Sequence, residues 1–405
     1  MPVYVKETAD RCLHCKVPMC QKGCPVHTNI PQVITLFQEN KLREAGKMLF
    51  ENNPMSLVCS IVCDHNRQCR GNCVLGKKNA PINFSVIEQF ISDAYFDSME
   101  LEKKPPKGKK AAVIGGGPAG ITVAFKLVAA GYDVTIFEGR DDIGGVLRYG
   151  IPDFRLPRSI CDRYRSKLLE CGVKIRPNTV IGGSLEINNL FRDGYSAVFV
   201  GTGVWRSKTL GIKGESLPNV HYSMDFLMNP NGYNLGENVA IIGMGNAAMD
   251  VARVALRHGS RHVTLYARSK RVTASPHEFS YAQLEGAEMV FGKAITEITE
   301  EGPVFKTAIF DENDRVVGYE DELDCVKSDS TVISISNGPK NKLILTTPGL
   351  EANEQGLLIT DENCMTTVEG VFAAGDVVQG ANTVVNAVEE AKRASDGMIR
   401  YLESL

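Results

Sequence analysis

Apolar positions in the first hundred residues recur at three- and four-residue steps. Val33, Ile34 and Phe37, then Leu42, Ala45, Met48 and Leu49, fall on one face of a helical period and predict a helical N-terminal part. The stretch Leu101–Lys110, LEKKPPKGKK, interrupts this pattern with charge, proline and glycine, as domain boundaries do. Beyond it the pattern changes. Ala111–Ile114 is a continuous apolar run suited to a buried strand, followed by a glycine-rich turn, a helical stretch Ile121–Ala130 and a second strand Val134–Phe137. The same grammar returns at Asn238–Ile242, with a helix to about His258 and a strand at His262–Tyr266. Strand, turn, helix and strand is the start of a βαβ unit, so the chain is read as α/β with two such folds.

The 405 residues suit two to four domains. With 43% hydrophobic and 23% charged residues and a formal charge of −3, the composition is that of an ordinary globular protein. It shows no basic excess of the kind that marks a nucleic-acid binder. Met1–Asp10 is polar and has no apolar stretch of the sort a secretory signal carries, and no run of 18 apolar residues predicts a membrane span. The expectation is a cytoplasmic protein bound to neither nucleic acid nor membrane.

Cysteine alters this picture most. Of 12 cysteines, eight lie between Cys12 and Cys73, and without an export signal such density points to metal before disulfides. The runs are Cys12-x2-Cys15-x4-Cys20-x3-Cys24-Pro25 and Cys59-x3-Cys63-x5-Cys69-x3-Cys73. Short loops between thiolates can wrap an iron–sulfur cluster, and in two-cluster ferredoxins the last cysteine of a run serves the other cluster. By that rule Cys24 crosses to a second cluster and Cys73 returns to the first, which becomes Cys12, Cys15, Cys20 and Cys73. One or two structural zinc sites are the alternative, since Cys12-x2-Cys15 also fits zinc. His14, His27 and His65 lie among these cysteines and are read as loop residues rather than ligands. Cys161, Cys171, Cys325 and Cys364 are isolated and are read as buried thiols.

Each strand–helix turn carries a dinucleotide fingerprint. In Gly115-x-Gly117-Pro118-Ala119-Gly120 the glycines permit a tight turn and close approach to a pyrophosphate at a helix N-terminus. Glu138, eighteen residues past Gly120 and at the end of the next strand, stands where a carboxylate accepts from a ribose. The second turn, Gly243-x-Gly245-Asn246-Ala247-Ala248, has the permitted alanine in third place. Its strand ends in Tyr266-Ala267-Arg268-Ser269-Lys270-Arg271, without an acid, and Arg268 and Arg271 there favour a 2′-phosphate, hence NADPH over NADH. Near the C-terminus Val371–Ala374 runs into Gly375-Asp376, which in a flavin fold offers a carboxylate to the ribityl or phosphate arm.

Taken together, the chain resembles the small-subunit family of glutamate synthase, FAD and iron–sulfur oxidoreductases. The likeness runs through Arg11–Cys15, Gly23-Cys24-Pro25-Val26, Gly144-Gly145-Val146-Leu147-Arg148-Tyr149-Gly150-Ile151-Pro152-Asp153-Phe154-Arg155, Gly245–Asp250, Gly375-Asp376 and Thr383-Val384-Val385. The cysteine part is also similar to the N-terminal part of dihydropyrimidine dehydrogenase, at Asn53-Pro54 to Cys73 and Pro81-Ile82-Asn83. The resemblance implies an N-terminal α-helical two-cluster domain at 1–104, then two Rossmann-like domains: FAD-binding at 105–228 and 337–405, with an NAD(P)H-binding insertion at 229–336. It implies two 4Fe-4S clusters, one FAD and NAD(P)H, with Gly145, Arg155, Thr383 and Val384 among the cofactor-binding residues. It also implies that Cys24, Cys63, Cys69 and an oxygen of Glu88 hold the second cluster, with Cys59 the competing fourth ligand.

Nicotinamide gives up electrons in pairs, clusters take them singly, and flavin does both, so a chain with all three reads as a two-to-one electron converter. That step requires no side-chain nucleophile or base, and no catalytic residue is assigned. No Cys-x-x-Cys or Cys-x4-Cys falls in the nucleotide domains, which disfavours a dithiol relay. The expected role is an electron-input subunit in a hetero-oligomer, serving a catalytic subunit or ferredoxin. The alternatives are a ferredoxin–NAD(P)+ oxidoreductase or electron-bifurcating subunit, and a non-catalytic redox-sensing module.

Overall fold

The structure, a computed structural model, describes residues 2–78 and 80–405. It divides into two compact units: 1–148, 153–204 and 338–405 form the first, and 149–152 with 205–337 the second. Among the described residues no helix is long and apolar enough to cross a membrane.

The first unit begins with helices α1 (Val3–Asp10), α2 (Ile30–Gln38), α3 (Leu42–Asn52), α4 (Ser56–Val62) and α5 (Phe84–Ser98). The apolar spacing read from the sequence spans α2 and α3, which are parted at Asn40, a left-handed residue (φ +59°). Asn29 caps α2, its side chain accepting from the Gln32 N–H. Ile34, Phe37, Leu49, Ile87 and Ile91 close the core between α2, α3 and α5. Helix α5 turns an apolar stripe inward through Phe84, Ile87, Ile91 and Tyr95, and Glu88 sits on that same buried face.

The 101–109 segment is not a loose tether. Lys104 and Lys107 donate backbone N–H groups to the Ala129 and Gly131 carbonyls, and Lys103 Nζ reaches the Cys171 carbonyl at 2.8 Å. The chain then forms β1 (Lys110–Ile114), α6 (Pro118–Ala129), β2 (Asp133–Phe137), α7 (Arg158–Glu170), β3 (Lys174–Arg176) and β4 (Tyr195–Val200). The second unit contains β5 (Val220–Tyr222), β6 (Asn238–Ile242), α8 (Asn246–Arg257), β7 (His262–Ala267), β8 (Glu288–Phe291), β9 (Lys293–Thr299), β10 (Gly302–Phe310), β11 (Val316–Cys325) and β12 (Ser330–Ile333). The chain re-enters the first unit with β13 (Val371–Ala373) and α9 (Val384–Ser404).

The sheet of the first unit is parallel, in the order β13-β4-β1-β2-β3. The second unit repeats the pattern as β5-β12-β6-β7-β8, so strand 220–222, which the sequence reading groups with the first fold, pairs in this sheet. In both sheets the strand order reverses beside the fingerprint strand, between β1 and β4 and between β6 and β12. Such a switch point opens a crevice at the strand ends where ligands bind. A three-stranded antiparallel sheet, β9-β10-β11, completes the second unit. Its outer strand is exposed along nearly its whole length, so Cys325 is exposed, whereas Cys161, Cys171 and Cys364 are buried as expected.

Within the first unit, the helices and the sheet share a core. Phe50 meets Phe125 edge-on at 5.2 Å, Phe96 lies 4.4 Å from Tyr164, and the buried Tyr164 hydroxyl donates to the Pro54 carbonyl at 2.9 Å. Helices α3 and α5 and the turn at Pro54 are thereby fixed to α6 and α7 of the first nucleotide fold.

Candidate cofactor sites

The eight N-terminal cysteines line two adjoining cavities. The first is walled by Cys12, Cys15, Cys20 and Cys73, and the second by Cys24, Cys63, Cys59 and Glu88. Cys69, Ile30 and Phe84 form a wall common to both. Cys73 of the second run lines the first cavity, and Cys24 of the first run lines the second. Among the described residues no three His, Cys, Asp or Glu side chains converge as ligands of a single metal ion do. The thiols ring a space instead.

Burial sets the protonation of these groups. It pushes the Cys20 thiol up to about 11 and raises Cys24 and Cys69 as well. A hydrogen bond with Cys59 raises Cys63, and the same bond lowers Cys59. Glu88, 6% exposed, is raised well above the usual carboxylate range by burial and then by Cys59. It is not a surface glutamate. A carboxyl on the core stripe of a helix, beside thiols, is costly unless something positive joins it. Iron supplies that charge and takes thiolates, so these residues fit a cluster.

Other residues around the thiols escape a reading of spacing alone. Ile82 donates its backbone N–H to Cys73 Sγ at 3.4 Å, and Cys24 Sγ donates to the buried Thr28 Oγ1 at 3.5 Å. Thr28 stands four residues after Cys24, and a polar residue at that step is the only local signal. Hydrogen bonds to sulfur tune cluster potential. His14 and His27 occupy left-handed turns, with φ of +44° and +51°, and His14 Nδ1 pairs with Thr35 Oγ1 at 3.1 Å. Val385, in the first turn of α9, lines the cavity of Cys24 and Glu88 from the far end of the sequence.

The first fingerprint leads from β1 into α6. Gly115 has φ of +99°, and a Cβ there would meet the Gly201 carbonyl oxygen at 2.6 Å. At Gly120 a Cβ would lie 1.9 Å from the Gly115 carbonyl oxygen. Gly117 differs: nothing in the protein comes nearer than Gly145 Cα at 3.8 Å. Its missing side chain leaves room for a ligand, while the outer two glycines answer the fold. Gly145 itself has φ of +53°, with Gly117 Cα 2.8 Å from its absent Cβ, so the loops at 115–120 and 144–145 meet backbone to backbone. Glu138 is buried, its two carboxylate oxygens accepting from the Gly116 and Arg140 N–H groups.

Gly375 brings in the distant C-terminal segment. Its absent Cβ faces Ala119 and Ala387 Cβ at 3.3 and 3.5 Å, setting Asp376 beside the starts of α6 and α9. Thr383 caps α9, accepting from the Asn386 N–H. Burial lifts the Asp376 carboxyl to about 7. Arg155 is half-buried in the turn before α7.

In the second unit Gly243 has φ of +140°, and a Cβ there would be 2.2 Å from the Ser334 carbonyl oxygen. At Gly245 a Cβ would meet only Thr273 Oγ1, at an ordinary contact distance of 3.5 Å. Asn246 Oδ1 accepts from the Ser275 N–H at 2.8 Å and orders the loop beyond the strand. Arg268 and Arg271 are exposed past β7, whereas Lys270 pairs with Asp314 and lies 4.8 Å over the Phe310 ring.

Known protein families match both halves of the chain. The family described as pyridine nucleotide-disulphide oxidoreductase matches residues 109–391, and dihydropyrimidine dehydrogenase domain II, 4Fe-4S cluster, matches residues 3–100. The glutamate synthase (NADPH) small chain of Halomonas elongata is 33% identical, over 98% of this chain and 90% of that one. The chain belongs to the glutamate synthase small-chain family of pyridine nucleotide-disulphide oxidoreductases. It is thus an NAD(P)H-dependent flavin oxidoreductase with a 4Fe-4S domain. Another family relative, the NAD-dependent dihydropyrimidine dehydrogenase subunit PreT of Salmonella typhimurium, is 30% identical over 99% of this chain and 95% of that protein. Mycobacterium tuberculosis FprA in complex with NADPH shares the fold at 18% identity, with a TM-score of 0.61 over 74% of this chain and 85% of that one.

Proposed function

We propose that the chain is the electron-input subunit of a larger oxidoreductase, holding one FAD, two 4Fe-4S clusters and an NAD(P)H site, and serving a catalytic partner protein. When bound, these groups supply hydride acceptance, its division into single electrons and one-electron transfer. The chain's own residues bind and orient. Gly115, Gly117, Pro118, Ala119 and Gly120 present the α6 N-terminus to a pyrophosphate, and Glu138 accepts from the adenosine ribose. Gly145, Arg155, Asp376, Thr383 and Val384 hold the remainder of the flavin. Gly243, Gly245, Asn246 and Ala247 form the nicotinamide-nucleotide cradle, with Arg268 and Arg271 on a 2′-phosphate. Cys12, Cys15, Cys20 and Cys73 take the first cluster; Cys24, Cys63, Cys69 and Glu88 take the second. Thiols reserved for ligation require a reducing compartment, which points to the cytoplasm.

The observation that carries this reading is Val385. It joins the wall of the Cys24–Glu88 cavity to the first turn of the helix capped by Thr383, so the second-cluster residues and the flavin residues are contiguous in one unit. The shared wall of Ile30, Cys69 and Phe84 continues that contiguity to the first cavity. Relatives that are small chains or subunits of larger enzymes support the partner. Iron, acid-labile sulfide and flavin analysis of anaerobically purified protein tests the cofactor set: close to eight iron, eight sulfide and one FAD per chain are expected. Zinc, or about four iron after full reconstitution, would refute it.

A further inference from the structure

Two segments that wrap the first cavity carry basic residues and no acidic ones. Segments 11–38 and 65–87 contain no Asp or Glu, in a protein whose overall charge is −3. They do contain Arg11, Lys16, Lys22, Arg67, Arg70 and the pair Lys77-Lys78. Both segments wrap the same cavity, the first through Cys12, Cys15 and Cys20 and the second through Cys73 and Val74. Arg11 ties them together by donating to the Ala80 carbonyl. Lys16, Lys22, Lys77 and Lys78 are exposed, whereas Arg67 is matched by Asp64 from just outside the segment.

Between these basic residues, along the same two segments, stand apolar side chains that face solvent. Leu13 is 61% exposed, Val17 59%, Met19 42% and Val74 36%, and Leu13, Met19 and Val74 also line the cavity. An apolar centre inside a polar rim is the anatomy of a protein–protein interface. A rim of one sign recruits an oppositely charged partner and sets its encounter rate. An isolated apolar patch or a solvated lysine turn would show one of these features without the other.

We propose that this face is the docking surface for an acidic one-electron carrier protein, whose own redox group seats against Leu13, Met19 and Val74 over the first cluster. The proposal rests on the electron-input reading for its direction of flow and adds the site, the sign of charge and the class of partner. Lys16, Lys77 and Lys78 steer the partner, and the apolar centre sets the contact distance.

The test uses holoprotein with its full iron and flavin, NADPH as donor, and three acceptors: an acidic plant-type ferredoxin, basic cytochrome c and ferricyanide. A parallel arm measures binding of the same ferredoxin to holoprotein without NADPH. Ferredoxin should bind and be reduced fastest at low salt, with both falling steeply as ionic strength rises. Lys77→Glu/Lys78→Glu should lower its rate about 10-fold or more, speed cytochrome c and leave ferricyanide unchanged at unaltered iron content. Lys77→Gln/Lys78→Gln should fall between. Ferredoxin binding that ignores both salt and charge reversal would overturn the proposal, as would phosphatidylglycerol vesicles or DNA binding through these lysines in its place. Failure of NADPH to reduce ferricyanide would instead refute the electron-input reading, and the binding arm would still decide the surface.

Discussion

Glu138 grips the glycine loop that it faces: its Oε2 accepts from the Gly116 N–H at 2.7 Å, and its Oε1 accepts from the Arg140 N–H at 2.9 Å. Each oxygen keeps a lone pair for a ribose hydroxyl, so one carboxylate orders the loop and meets the ligand. Glu138→Ala leaves the buried Gly116 N–H without its acceptor, a loss of about 1–3 kcal/mol. Flavin retained through gel filtration should drop while iron content holds. Unchanged flavin would remove Glu138 from the site.

The glycines of the first fingerprint should separate by experiment. Gly120→Ala forces a Cβ to 1.9 Å from the Gly115 carbonyl, so both folding and flavin binding should suffer. Gly117→Ala meets only Gly145 Cα, at an ordinary contact distance of 3.8 Å, so the apoprotein should melt as wild type does while FAD affinity falls. Thermal denaturation of both apoproteins, with flavin titration, reads the difference. Equal loss of stability in the two would contradict the assignment of Gly117 to the ligand.

Arg268 and Arg271 are exposed beyond β7, whereas Lys270 is held by Asp314 and Phe310. Arg268→Ala should raise the KM for NADPH by roughly 10- to 150-fold, the worth of charge-assisted bonds to a 2′-phosphate, and barely change that for NADH. Lys270→Ala should change neither by more than a few fold. Steady-state kinetics with both nucleotides decides, and equal damage to the two would make the basic turn plain surface.

For the second cluster, Glu88 and Cys59 face the same cavity, but Cys59 is already hydrogen-bonded to Cys63 while Glu88 is a carboxyl stranded on a core stripe. Cys59→Ser should therefore keep full iron and unaltered electron paramagnetic resonance signals. Glu88→Ala should lose or perturb one cluster and leave flavin reduction by NADPH intact, since a hard oxygen ligand cannot be removed without shifting the potential. The opposite pair of results would assign the fourth position to Cys59.

Much of this was legible locally. A fingerprint turn depends on a few consecutive residues, and β6 starts and ends where its apolar run does, at Asn238–Ile242. The grouping of Cys73 with Cys12 followed from a ferredoxin rule that is itself a matter of spacing. What the sequence concealed was long-range. Val385 lines the same cavity as Cys24, and Tyr164 meets Pro54, across separations that no local pattern encodes. The antiparallel sheet β9-β10-β11 escapes a sequence reading because its outer strand is exposed on both faces and the acidic run Glu320-Asp321-Glu322 breaks the alternation of Val317, Tyr319 and Leu323. The same exposure explains why Cys325 departs from its expected burial. Glu88 was visible as a candidate, but its burial became apparent only once α5 put it four residues after Phe84 on the inward face.

The central claim is that electrons enter as pairs and leave singly by way of the cysteine groups. The most direct measurement is the anaerobic stoichiometry and rate of NADPH oxidation with a one-electron protein acceptor, in wild type and in Cys69→Ser. Cys69 stands in the wall between the two cavities. Wild type should reduce two acceptors per NADPH, and Cys69→Ser should still bleach its flavin with NADPH but pass almost nothing to the protein acceptor. Protein-acceptor reduction at the wild-type rate in Cys69→Ser, with its cluster lost, would contradict the account.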